Sequence, residues 1–403
     1  MQQASPFSAI IGADSLRSQR SGVGRMTLEI IRATRYRPEL ARLDLLLAGR
    51  LRDTGTVLAQ VEAGLDPVRV PSPLLRFKRL VADVPGVQAA RRLKHLSGQR
   101  QRMAALRSRG GGRVVYHEPN MIPELFYSPF EGPTVVTMND LSWHHHPEYH
   151  PPERLRWIDR NLRRMLDGSA RFVAISHFTA GALVQEFGIS PLRIDVVPLA
   201  AGREFRPVSR EDAALVLQRH GLEDRHYFLS VSTLEPRKNF DRLVAAHDSL
   251  PMALRQRFPL VIVGGSGWGN ALANPLAQRA RDTGTLRLLG HVPDADLVIL
   301  YARAAAFAYV SIYEGFGLPV VEAMATGTPV LASSTTATGE TAGDAAALAD
   351  PLDVHALTVA LRRLADDKDY AETLRARGLA RAAEFSWDRT ASGLIASWSR
   401  ALA

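Results

Sequence analysis

Two glutamates eight positions apart, Glu314 and Glu322, carry the clearest chemical signal in the chain, in the string YEGFGLPVVEA at residues 313–323. Neighbouring carboxylates can be the acid and base of a hydrolase, ligate a metal, or grip one polar ligand at two points. The flanking pattern narrows the choice. AFAYVS (306–311) reads as a strand, IYEGFG as the loop after it, and Leu318-Pro319 as a helix start with proline in its first turn. Gly327 ends that helix and TPVLAS is the next strand. Residues 314–318 therefore lie at a helix N-terminus, where free N–H groups and the helix dipole favour an anion. A carboxylate beside a bound phosphate is repelled by it, so both glutamates read as acceptors for hydroxyls, and sugar and ribose diols are suitable donors. An acidic residue near a helix start also suits the dipole, which could account for Glu322 alone but not for the whole string.

A second cluster is cationic. LEPRKN (234–239) follows a strand-like run and precedes a helical one, placing Arg237 and Lys238 at the carboxyl end of a strand. Two fixed cations there can neutralise a pyrophosphate leaving group as charge develops on it. Three other strings imitate known sites. DAD (294–296) resembles a metal clamp but opens a helix, with Asp294 suited to its N-cap. HHH (144–146) lacks the i, i+4 spacing of a helical zinc site and reads as an acceptor-facing or surface loop. GGSGWG (264–269) has Asn270 where a dinucleotide fingerprint needs glycine and no Lys-Ser/Thr of a P-loop, so it reads as a tight strand-to-helix turn.

These residues need a frame. The chain has 403 residues, 46% hydrophobic and 23% charged, with no cysteine, which fits a soluble protein of two domains or more without disulfides or thiolate metal sites. No apolar run approaches the roughly 18–20 residues of a membrane span, and no basic residue precedes Arg17, unlike a secretory signal; the expected compartment is cytoplasmic. Strand-like runs at 9–12, 43–47, 114–117, 134–137, 172–175 and 194–197 alternate with helical patterns such as 23–34 and 178–187. A second series follows at 227–231, 260–263, 286–289, 306–310, 330–332 and 346–348. Such alternation predicts two α/β domains with parallel sheets, doubly wound and Rossmann-like, facing each other across a cleft. The joint falls in 196–212, with a new helix at Asp212. The domains expected are 1–203 and 204–385, with a helix at about 386–403, capped by Ser386, packing back on the first.

Net charge is +9, and the segment from Arg76 to Arg113 holds eleven Lys/Arg against Asp83 alone, a local +10. Val87, Ala90, Leu93 and Leu96 form an apolar stripe interleaved with Arg91, Arg92 and Lys94, as in a basic amphipathic helix on anionic lipid. Few aromatics interleave with these charges, unlike a nucleic-acid surface, and no nucleic-acid partner is expected.

EGFGLPVVEA resembles the E-x7-E signature of the retaining, nucleotide-sugar-dependent glycosyltransferases of the GT-B fold, family 4 type. Collinear strings resemble other parts of that family: SGVGRMTLEI (21–30) its N-terminal glycine loop, TMNDLSWHHHPEYHPPE (137–153) its acceptor-domain loop, VSTLEPRKNFDRLVAA (231–246) and LVIVGGSGWGN (260–270) its donor domain, and GHVPDADLVILYARA (290–304) its base-binding loop and helix. The resemblance implies that Glu314 holds hydroxyls of the transferred sugar and Glu322 the ribose diol. It places phosphate on the backbone of Gly315, Phe316, Gly317 and Leu318, the base near His291 and Val292, and Gly22, Val23 and Gly24 against the donor phosphates on closure. Arg237 and Lys238 then act on the leaving group, without a metal or other cofactor. Many relatives carry His where this chain has Asn139, so a general base at that position is in doubt. A front-face mechanism, in which the departing phosphate takes the proton, tolerates an amide there; His117 or Asp140 are the acceptor-side candidates. NDLSW…PEYHP is similar to mannosyl- and rhamnosyltransferases of bacterial surface polysaccharides. That implies a hexose from a GDP-sugar moved to a lipid-linked or lipopolysaccharide glycan, peripheral to the membrane; a UDP- or dTDP-sugar with a soluble acceptor, a sugar-nucleotide hydrolase or epimerase, and a nucleic-acid-binding protein are the alternatives.

Overall fold

The computed structural model describes residues 6–18, 22–48, 50–67, 113–121, 132–166, 168, 170–265, 267–269 and 271–403. The amphipathic stripe at 87–96 and all of the basic segment except Arg113 lie outside the described residues.

Strand-forming runs of β-branched and aliphatic residues assemble two sheets. The first contains β1 (Phe7–Gly12), β2 (Leu40–Leu47), β3 (Arg50–Asp53), β4 (Val114–Glu118), β5 (Thr134–Met138), β6 (Arg171–Ala174) and β7 (Ile194–Val196). Among the described residues its order is β3-β2-β1-β4-β5-β6-β7, parallel throughout except for the antiparallel β2–β3 pair. The second sheet contains β8 (Phe228–Val231), β9 (Leu260–Val263), β10 (Leu286–Gly290), β11 (Ala306–Tyr309), β12 (Val330–Ser333) and β13 (Ala347–Ala349), in the order β10-β9-β8-β11-β12-β13, all parallel. Both domains are Rossmann-like and doubly wound. Strands such as LVIV at β9 are buried along their whole length, because helices cover both faces of a parallel sheet.

The strands expected from sequence agree with those found to within three residues at each end. β3 is the exception. Its RLRD sequence has no apolar alternation, and it is held by register with β2 at the sheet edge, where charge guards against further pairing. The helix expected from Asp212 begins at Arg210, because Ser209 is its cap and accepts from the Asp212 N–H. Ser386 caps the helix Trp387–Ala401. That helix returns to the first sheet: Thr390 Oγ1 donates to Pro198 O at 2.7 Å, and fully buried Trp398 packs on the His117 ring, centroids 5.5 Å apart.

In each sheet the strand order reverses beside the first strand of its series, opening a crevice at the carboxyl ends. For the second sheet this point lies between β8 and β11. The loops leaving those two strands carry Arg237, Lys238 and Glu314.

Candidate active site

After β8 the chain makes a single 3₁₀ turn, Pro236–Lys238, and Asn239 follows in the left-handed region (φ 62°). The Asn239 amide fixes this turn by donating to Val310 O at 2.9 Å and Pro351 O at 2.7 Å. The turn is thereby tied to the loop after β11, and Ile312 N donates to Arg237 O at 2.9 Å. Three charged side chains then converge. Lys238 Nζ lies 2.5 Å and Arg237 Nη1 3.1 Å from Glu314 Oε1. Tyr309, at the end of β11, donates its hydroxyl to the same oxygen at 3.0 Å and accepts from Lys238 Nζ at 2.8 Å. Burial alone would raise the Glu314 carboxyl, but the Arg237 and Lys238 charges bring it down to about 2. Burial and the Arg237 charge push the Lys238 ammonium down, with Glu314 opposing. The cluster holds two cations against one firmly ionised carboxylate.

Glu322 occupies a different environment. It lies in the helix Leu318–Ala325, is 5% exposed, and accepts from Tyr301 Oη at 3.1 Å. Burial raises its carboxyl to about 7, against the pull of Arg25 and the Tyr301 hydrogen bond. Between the two glutamates the loop is anchored through its carbonyls: Thr179 Oγ1 donates to Gly315 O at 3.2 Å and Thr341 Oγ1 to Phe316 O at 2.7 Å. Gly317, at φ 93°, is the helix N-cap, a backbone shape that favours glycine. In the first turn Pro319 has no N–H and Val320 donates to Gly317 O at 2.8 Å, which leaves Leu318 N–H as the donor without an intrahelical partner.

The two domains meet over this loop. A Cβ on Gly315 would stand 1.7 Å from Asn139 O, so only glycine allows the approach. The Glu340 carboxylate accepts from the N–H groups of His177 and Phe178 at 2.9 and 2.7 Å, capping a helix of the other domain. Arg25 reaches Asp294 at 2.5 Å, and Trp268 Nε1 donates to Tyr149 O at 2.6 Å. The cleft between the two domains has a volume of ≈ 770 Å³ and is lined from both.

Most of the expected site residues line this cleft: Glu314, Arg237, Lys238, Asn139, Glu322, Gly315, Phe316, Gly317, Leu318, Gly22, Val23, His291, Val292 and Asp140. Several expectations need correction. His117 does not reach the cleft; it is fully buried between Thr137, 2.8 Å from its Nε2, and Trp398, and burial lowers it to about 3. Gly24 is buried and does not line the cleft, unlike Gly22 and Val23 in the same first turn of the helix Gly22–Thr34, which agrees with the helical pattern at 23–34. Asp294 is not an N-cap: Pro293 takes that position, and the Asp294 side chain pairs with Arg25 instead. GGSGWG is no tight turn, since the next helix starts only at Pro275 and Trp268 crosses to the other domain. Of the three histidines, His145 stacks on Tyr313 with centroids 5.1 Å apart, and His144 and His146 lie 3.5 Å and 3.2 Å from Glu186 and Glu148. Asn139 donates from Nδ2 to Pro119 O at 3.2 Å, while its buried Oδ1 has no hydrogen-bond partner. Sequence reasoning passed over Tyr309, Tyr301, Glu235, Arg154 and Trp268. For Trp268 a signal was present, a tryptophan in a glycine-rich loop at a strand's carboxyl end.

Two family models match the chain, one described as glycosyltransferase family 4 over residues 81–205 and one as glycosyl transferases group 1 over residues 216–381. The O-antigen chain mannosyltransferase B of Escherichia coli is 35% identical over 390 residues, covering 96% of this chain and 98% of that one. The chain belongs to the family 4, group 1 glycosyltransferases. The serotype-specific mannosyltransferase WbdA of E. coli is 32% identical to this glycosyltransferase over 235 residues, which are 57% of this chain and 28% of that protein. Among solved structures, WaaG, a glycosyltransferase involved in lipopolysaccharide biosynthesis, superposes with a TM-score of 0.67 at 16% identity, covering 96% of this chain and 98% of its own. Anabaena HepE in complex with UDP and glucose gives 0.68 at 20%, covering 98% and 100%. These superpositions establish the GT-B fold of the glycosyltransferase. No described helix is long and apolar enough to cross a membrane.

Proposed function

We propose that this glycosyltransferase moves a mannosyl residue from a GDP-sugar to a hydroxyl of an O-antigen-type glycan, with retention of anomeric configuration. The carrying observation is the buried Arg237–Lys238–Glu314 cluster at the mouth of the β8/β11 crevice. The full-length similarity to an O-antigen mannosyltransferase supports the choice of sugar and acceptor.

In this reading the donor diphosphate lies between the two cations and the backbone N–H groups of residues 315–318, with the N-terminus of the Gly22–Thr34 helix facing it across the cleft. Glu314, held ionised, accepts hydrogen bonds from sugar hydroxyls, and Glu322 takes the ribose diol. Transfer breaks the bond from C1 to the phosphate oxygen and forms one from C1 to the acceptor oxygen on the same face. The acceptor's proton passes to the departing phosphate oxygen. Asn139 fits this route: its unpartnered Oδ1 can hold the incoming hydroxyl, although an amide cannot take the proton. Arg237 and Lys238 stabilise the diphosphate as it leaves, a task that requires no metal.

The test is transfer from GDP-, UDP- and dTDP-linked hexoses to mannose-terminated oligosaccharides, with the product anomer read by NMR. The expected result is an α-linked product from an α-linked GDP-sugar, formed equally well in EDTA. Inversion, or turnover without an acceptor, contradicts the proposal.

A further inference from the structure

Glu235, Arg154 and Trp268 line the cleft beyond the Arg237–Glu314 cluster, and the chemistry above uses none of them. Glu235 is 6% exposed, and its Oε2 has no hydrogen-bond partner; the nearest cation, Arg237 Nη2, is 3.8 Å away. Arg154, in the helix Pro152–Leu166 of the first domain, stands 5.8 Å from the centroid of the Trp268 indole, and its buried Nε is likewise unpartnered. Trp268 itself is half-buried, held edge-on by its bond to Tyr149 O.

The contacts order the cleft from end to end. Arg25 pairs with Asp294 and acts on Glu322 at one end, near His291 and Val292. Arg237 acts on Glu314 in the middle and also on Asp140 and Glu235. Arg154 faces Asp140, Glu235 and Trp268 at the other end. A nucleoside at the Glu322 end, with its diphosphate at Arg237, directs the anomeric carbon toward Glu235, so the far end is where an attacking hydroxyl must arrive.

We propose that Glu235, Arg154 and Trp268 form the acceptor subsite, binding one hexopyranose ring of the acceptor glycan. The inference rests on the donor assignment above. An unpartnered buried carboxylate oxygen and an unpartnered guanidinium N–H in the wall of one cleft match the hydroxyls of a sugar, each of which both donates and accepts. The indole supplies an apolar platform for the C–H face of the ring, with its N–H already used. An anionic ligand is disfavoured, because Asp140 and Glu235 face the same space as Arg154.

The experiment is saturation-transfer NMR with methyl α-D-mannopyranoside and α-mannobiose, in the presence of whichever of GDP, UDP or dTDP binds tightest. Wild type transfers saturation to the pyranose protons. Trp268→Ala weakens mannobiose binding by roughly ten-fold or more. Trp268→Phe, which keeps a ring but loses the bond to Tyr149, stays within about three-fold, and nucleotide affinity is unchanged in both. Equal losses in the two variants, or parallel losses of nucleotide affinity, assign Trp268 to holding the domains together and overturn the subsite. So does a wild type that binds nucleotide but no saccharide. A wild type that binds no nucleotide contradicts the donor reading instead.

Discussion

Glu314 and Glu322 share a motif but are driven in opposite directions by their surroundings. Glu314 meets two cations and is ionised down to about pH 2; for Glu322 burial outweighs the Arg25 charge and the Tyr301 hydrogen bond and raises it to about 7. The folded chain thus binds the Glu322 proton more tightly than the unfolded chain does. Stability from this group is complete below the ordinary glutamate range and is lost as pH rises through about 7. Glu322→Gln removes that titration while keeping an acceptor for Tyr301. In urea unfolding the variant is expected to match wild type near pH 4 and to exceed it by about 3 kcal/mol at pH 8; equal stability at both pH values contradicts the buried, proton-hungry site. The roles of these glutamates were legible in sequence because both lie on one strand–loop–helix string. The misplacement of His117 has a local cause. In a strand the side chain points to one face or the other, and nothing within VVYHE shows that Trp398, from the helix Trp387–Ala401 far downstream, covers the His117 side.

At the scale of elements, the loop after β11 is a joint between domains. Its Gly315 has no room for a side chain against Asn139 O, and its carbonyls are held by threonines from both domains. Gly315→Ala therefore leaves each sheet intact but blocks closure. Transfer is expected to fall by at least about a hundred-fold, with a larger radius of gyration in solution scattering. Unaltered transfer would show that closure over Gly315 is not required. The positions of the strands and the place of Arg237–Lys238 at a strand's carboxyl end were readable from apolar runs, since each depends on neighbours close in sequence. The Trp268–Arg154 contact was not, because it exists only where two separately folded sheets are brought face to face.

At the scale of the molecule, the helix Trp387–Ala401 returns to the first domain and ties the chain's end to β4–β7 through Trp398 and Thr390. The net +10 between Arg76 and Arg113 is a proposed anchor to anionic lipid, where a glycolipid acceptor would be found. Replacing Arg91, Arg92 and Lys94 with alanine is expected to weaken binding to phosphatidylglycerol vesicles by about a hundred-fold while leaving donor affinity unchanged; intact vesicle binding rules the anchor out. The central claim, that the crevice between β8 and β11 holds a sugar nucleotide on Arg237, Lys238 and Glu322, is tested most directly by calorimetric titration of GDP-mannose into wild type, Lys238→Ala and Glu322→Ala. Binding by wild type, weakened about thirty-fold or more in Lys238→Ala and about ten-fold in Glu322→Ala, is the expected result. Unchanged affinity in both variants would contradict the claim.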